Sequence, residues 1–208
     1  MNEYLVPTSR GEAEFTEKRS RFLGHVMPVD SEEEAREFIS EMKKKYYDAR
    51  HNCWCYIIKD GPERYSDDGE PQGTAGIPML EVFRREGIYN FVCVVTRYFG
   101  GVLLGAGGLL RAYTKSAKDA LDAAGISAVR RWVEAEIPCS YSAAERFRPE
   151  VAAAGGIVID TEYAADVTIK ALIPEENFED FSLRIFDASG GTVKVNASGE
   201  DFRAVPIK

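Results

Sequence analysis

The chain has 208 residues, 45% of them apolar and 29% charged, with 26 Lys/Arg against 34 Asp/Glu. That balance excludes a low-complexity or disordered chain, and no apolar run approaches the ~18 residues that a membrane-spanning helix needs. The negative charge is concentrated in residues 133–208, with 7 Lys/Arg against 14 Asp/Glu, so this acidic part is not expected to bind nucleic acid by charge alone.

Taken in chain order, apolar and polar residues alternate around Phe15 and again over Phe22–Val29, which predicts two strands joined near Ser20. Ser31 precedes EEEAREFISEMKKKYY, with Glu34 three residues after the serine, acids in the first turn and Lys43, Lys44 and Lys45 in the last. This pattern predicts a capped helix whose lysines form a solvated end. HNCWCYII, 51–58, is aromatic and β-branched and predicts a strand. After the turn-rich DGPERYSDDGEPQGTAG, Pro78 suits the first turn of a helix ending at Gly87. FVCVVTRY, 91–98, predicts a buried strand, and a glycine run joins it to a helix closed by Gly125. Beyond a boundary near Arg130–Val133 come a strand (VEAEIPCSY), a helix holding Pro149, two strands (IVIDTEY and DVTIKALI), a helix (PEENFEDFSLRIFDASG) and a last strand (TVKVNA). The order βαββαβ predicts a ferredoxin-like sheet. The domains are therefore expected at 1–131 and 132–208, in an α+β fold.

Candidate chemistry centres on the glycines. Five fall between Gly100 and Gly108, between a strand and a helix, the setting in which backbone N–H groups cradle phosphate. Neither nucleotide fingerprint is complete: Ala106 stands where a P-loop needs lysine, and Leu110 where the dinucleotide pattern needs glycine. The alternative is that Gly100 and Gly101 make a turn while Gly105, Gly107 and Gly108 let a helix pack close to a sheet. Gly73 and Thr74 in GTAG repeat the glycine-rich helix start. Gly73, Thr74, Gly105, Gly107 and Gly108, with Arg97 and Arg111 nearby, are thus the candidate anion or partner contacts. Asp67, Asp68 and Glu70 are weak metal candidates, because the twelfth position from Asp67 is Pro78 where a calcium loop needs glutamate. No metal or cofactor is expected, and His51 and Cys53 read as buried strand residues rather than an activated thiol. The four cysteines fall mostly in β-like runs, and the N-terminal sequence lacks the layout of a secretory signal, so a cytoplasmic location is expected.

YSDDGEPQGTAGIPML, VVTRYFGGVLLGAGGLLRAY and HNCWCY together resemble the IMPACT/YigZ family, in its bacterial two-domain branch. The resemblance implies an N-terminal ribosomal-protein-S-five domain-two-like domain and a ferredoxin-like domain similar to those of elongation factor G. It also implies a binding protein linked to translation or its regulation, acting without catalysis through a protein regulator, a ribosome or RNA met by the N-terminal domain. No catalytic residue carries over from it. The competing reading is a metal-dependent enzyme acting on a phosphorylated small molecule, with Asp67, Asp68 and Glu70 holding the metal.

Overall fold

The computed structural model describes residues 3–207. The chain divides into two compact units: Tyr4–Ala128 with the tail from Ala204, and Val129–Arg203 with Glu3.

In the first unit, β1 (Tyr4–Pro7) is followed by β2 (Gly11–Glu17), β3 (Ser20–Pro28), α1 (Glu32–Lys45), β4 (His51–Ile57), β5 (Glu63–Ser66), α2 (Gly76–Glu86), β6 (Phe91–Tyr98) and α3 (Ala106–Ala124). An antiparallel sheet runs β2-β3-β6-β4-β5. Central β6 is apolar from Phe91 to Val95 because both faces of that stretch are covered. Val92 and Val94 meet Phe38, Ile39 and Met42 of α1, while Phe91, Cys93 and Val95 belong to the core formed with α2 and α3. Ser31 caps α1 as its sequence predicts, accepting the Glu34 N–H at 3.2 Å, and the Glu34 carboxylate reaches back to the Asp30 N–H at 2.8 Å.

The glycines that bring helix and sheet together are not those of the run. A β-carbon at Gly11 would lie 2.2 Å from the Ala120 carbonyl oxygen, and one at Gly24 would lie 2.5 Å from that of Ser116. Close packing of α3 therefore depends on two strand residues. By contrast, a β-carbon at Gly105 meets nothing within 4 Å and one at Gly107 only Arg111 at 3.7 Å, while Gly108 faces Leu104 of its own loop. The packing role expected for these three is corrected accordingly. Within the run, Gly100 makes a close approach, its would-be β-carbon 2.0 Å from the Arg19 backbone at the turn before β3.

The second unit takes in most of β7 (Ile126–Cys139), then α4 (Tyr141–Ala153), β8 (Ile157–Tyr163), β9 (Val167–Pro174), α5 (Glu175–Ala188) and β10 (Asn196–Pro206). β7 pairs with β9, β9 with β8, and β10 with β7, which gives the ferredoxin-like order. Phe147 and Val151 of α4 and Phe181 and Ile185 of α5 share a core with Ile137, Ile169 and Ile173. α4 continues through Pro149. The last strand lies later than its predicted place at TVKVNA, because the Ser189 hydroxyl accepts the Thr192 and Val193 N–H groups and wraps that segment round the end of α5. β7 also begins seven residues before the expected VEAEIPCSY, and the sequence pattern gave no sign of the short strands β1 and β5.

Candidate functional site

The two glycine-rich helix starts have different fates. At α2 the N-cap is Ala75, which offers no side-chain acceptor, yet the start is not open. The Asp67 carboxylate accepts the N–H groups of Gly73 at 2.8 Å, Ala75 at 3.1 Å and Gly76 at 2.8 Å, so it caps the helix from a distance. Thr74 is buried, with its N–H and hydroxyl both donating to the Pro71 carbonyl. Gly73 and Thr74 therefore offer no free donors to a partner, contrary to the expectation from GTAG.

The acids are dispersed for the same reason. Asp67 is committed to α2. Asp68 accepts from Lys43 Nζ and from the Asn52 N–H, both at 2.7 Å. Glu70 Oε1 accepts from Arg97 Nη1 at 2.6 Å and from the Tyr113 hydroxyl at 2.9 Å. Among the described residues no group of three or more His, Cys, Asp or Glu is arranged to hold a metal ion. The metal-dependent reading loses its ligand set, since each carboxylate already serves a different internal donor.

At α3 the N-cap is Gly105, at φ 72° and ψ 166°, a backbone conformation open to glycine and almost nothing else. No side chain caps this helix, so the first-turn N–H groups of Ala106, Gly107 and Gly108 have no intrahelical partner and the positive end of a 19-residue helix dipole is bare. Gly105 and Ala106 line a cavity of about 300 Å³, together with Arg50, His51, Glu70, Arg97, Phe99 and Leu103. β-Sheet register builds its floor, because His51 of β4 lies directly opposite Arg97 of β6. Arg97 is only 5% exposed, sits 5.5 Å from each of the Phe22 and Phe99 ring centroids, and hydrogen-bonds Glu70 and Ser20. Its Nε has no partner among the described residues. Arg50 lies over the outer side of Phe99 at 5.8 Å, and Leu103, 82% exposed, stands at the rim.

Arg111 does not join Arg97. It lines a separate cavity with Phe15, Glu17, Lys18 and Lys115, so the two arginines of the run serve different surfaces. Sequence reasoning missed Arg50, Phe99, Leu103, Tyr113 and the place of His51. The only sequence signal for Phe99 and Leu103 is their apolar character among glycines, where a solvated turn would carry polar residues.

Among the described residues, neither Cys53 nor Tyr113 is poised as a nucleophile. Burial pushes the Cys53 thiol well up, and its Sγ donates to the Asp67 carbonyl at 3.0 Å. Burial likewise raises the Tyr113 phenol, with Cys53 and Glu70 adding to the effect. His51 Nδ1 is 2.9 Å from the Asp68 carbonyl, which fixes the ring.

Residues 18–121 match the model of the Impact N-terminal domain, and residues 137–192 match a domain of unknown function (DUF1949). The chain is similar to IMPACT family member YvyE of Bacillus subtilis, 35% identical over 193 residues that cover 92% of this chain and 89% of that one. It is also similar to IMPACT family member YigZ of Escherichia coli, 31% identical over 204 residues covering 96% and 100%. Protein IMPACT of Rattus norvegicus is 32% identical over 108 residues, half of this chain and 34% of its own. A crystal structure described as that of a hypothetical protein superposes with a TM-score of 0.60 at 30% identity, covering 96% of this chain and 98% of the other.

Proposed function

The chain belongs to the IMPACT family, and on that premise we propose that it is a cytoplasmic binding protein without catalysis, working in translation or its regulation through a protein, ribosome or RNA partner met by its N-terminal unit. The observation that carries this reading is a cavity whose rim is open and whose polar floor is already engaged. Glu70 is held by Arg97 and Tyr113, and burial keeps the Cys53 thiol protonated, so neither is free to act as base or nucleophile, while His51 Nδ1 is engaged by a backbone carbonyl. What remains available is recognition: bare helix N–H groups, an arginine pair flanking Phe99, and an apolar rim. The cavity lies within residues 18–121, which match the Impact N-terminal domain, and this fits a partner site carried by the N-terminal unit. The acidic second unit is ill suited to grip nucleic acid by charge.

The test is retrieval of partners by the tagged protein from its own cell extract, with and without nuclease, beside a Leu103→Glu variant. Leu103 is exposed, so the variant keeps its fold while placing a charge on the rim. The expected result is a retained protein, ribosome or RNA that the variant loses. Empty wild-type eluates, or identical retained material from both proteins, would overturn the reading.

A further inference from the structure

His51 is only 8% exposed, and its two ring nitrogens have different fates. Nδ1 lies 2.9 Å from the Asp68 carbonyl oxygen, which can only accept, so Nδ1 carries the hydrogen and the neutral ring presents Nε2 as a bare acceptor. Nε2 has no hydrogen-bond partner among the described residues. Glu70 Oε1, 3.9 Å away, is itself an acceptor already engaged by Arg97 and Tyr113. The unpartnered polar side-chain atoms sealed from the surface belong to His25, Arg97, Ser116 and Trp132; His51 Nε2 is not among them and opens onto the cavity that His51 lines. A buried acceptor with one open side calls for an N–H or O–H donor brought from outside.

The rest of the lining narrows what carries that donor. Arg97 and Glu70 neutralise each other at 2.6 Å, which leaves Arg50, exposed and paired with no carboxylate among the described residues, as the uncompensated charge of the cavity. One guanidinium balances one carboxylate, whereas a phosphate dianion would keep a charge to spare. The wall of Leu103, Leu104 and Leu109 is aliphatic. The Phe99 ring already carries the Arg50 and Arg97 guanidiniums 5.8 and 5.5 Å from its centroid, so the site favours an aliphatic side chain over a stacked base. A volume of about 300 Å³ stands at the low end for ligand sites, with room for one residue and little for a chain running through. A chain end meets all three demands from a single residue, with its amide N–H, its carboxylate and its side chain.

We infer that this cavity captures the C-terminal residue of a protein partner when that residue is aliphatic. Its amide N–H donates to His51 Nε2, its carboxylate meets the Arg50 guanidinium, and its side chain lies against Leu103, Leu104 and Leu109. The start of α3, which lines the cavity through Gly105 and Ala106, adds a favourable field for the carboxylate. The inference rests on the proposed partner-binding function and names what the partner presents. It is read on purified protein, so material retained from an extract beside silent peptides would overturn this inference and leave the broader function standing.

The experiment is calorimetric titration of the full chain with N-acetylated Ser-Gly-Ser-Gly peptides extended by a last residue of leucine, isoleucine or valine. At least one is expected to bind as the free acid. Three altered forms each delete one contact: a C-terminal amide removes the carboxylate, N-methylation of the last residue removes the donor, and a terminal glycine removes the side chain. Each is expected to weaken binding at least about tenfold. Arg50→Glu, at an exposed position, is expected to erase the preference for free acid over amide. His51→Asn keeps a donor for the Asp68 carbonyl while removing Nε2, and is expected to bind the N-methylated and unmethylated peptides alike. Loss of that one discrimination separates a contact from a general loosening of the site. Silence from every free-acid peptide, equal binding of acid and amide by the wild type, or tighter binding of N-acetyl-leucine than of the peptide ending in leucine would overturn the inference. So would unchanged selectivity in folded Arg50→Glu and His51→Asn proteins.

Discussion

The starts of α2 and α3 share a local recipe, glycines leading out of a turn into a helix without a capping side chain of its own, and they reach opposite outcomes. At α2 a carboxylate six to nine residues upstream folds back and takes three N–H groups. At α3 the upstream segment is Phe99–Leu104, which contains no acid, and nothing returns to close the helix. A glycine-rich helix start is therefore a site only when the preceding loop fails to fill it, and the loop's residue types decide that.

The comparison can be broken most severely at the floor of the open start. Arg97→Leu leaves Glu70 buried without its cation and is expected to cost about 3–5 kcal/mol in a denaturant titration. The double variant Glu70→Leu with Arg97→Met is expected to cost less than the sum of the two singles, because neither charge is left stranded. A smaller effect belongs to the closed start. Asp67→Ala exposes three helix donors and is expected to destabilise by about 2 kcal/mol on the same assay. The open start answers with the opposite sign, since Gly107→Asp supplies the missing carboxylate and is expected to stabilise by up to about 1 kcal/mol. A destabilised Gly107→Asp protein would mean the α3 donors are already satisfied, and the contrast between the two starts would disappear.

The smallest effect serves as a control away from both helices. His25 is buried beside Glu12 at 3.4 Å, with Lys45 nearby and the Tyr46 ring stacked on it; burial lowers its pKa below the ordinary histidine value. Because the folded state resists the proton, stability is full above about pH 6.5 and falls as the pH drops below it. The slope is no steeper than the ~1.4 kcal/mol per pH unit that one proton allows. Thermal melts of His25→Gln across that range are expected to lose this slope while leaving the Asp67 and Gly107 effects intact.

Much of the fold was legible because local and global signals agree. Ser31 and Glu34 announce α1, the unbroken FVCVVTR announces a strand covered on both faces, and the βαββαβ rhythm yields the ferredoxin-like order. The last strand was misplaced because TVKVNA has strand-forming residues whose N–H groups are claimed by Ser189, a side-chain competition that propensity does not register. The candidate site was half legible. Arg97 and Gly105 line the cavity as their neighbourhood implied, yet Arg50 and His51 reach it only through the pairing of β4 with β6, and Arg111 turns elsewhere. Which glycines lie under a helix is likewise a matter of contact across more than 90 residues of chain, as at Gly11 and Gly24.

Those two strand glycines give α3 the mechanics of a lever. The helix is about 28 Å long and is seated where Ser116, Ala120 and Ala124 press on bare backbone, so its pivot lies about 15 Å or more from its working end. A single methyl group added beneath the pivot would tilt the far tip and re-aim its N–H groups without touching a ligand. Substitutions at Gly11 and Gly24 should therefore surface among variants selected for lost binding, as remote adjustments of aim.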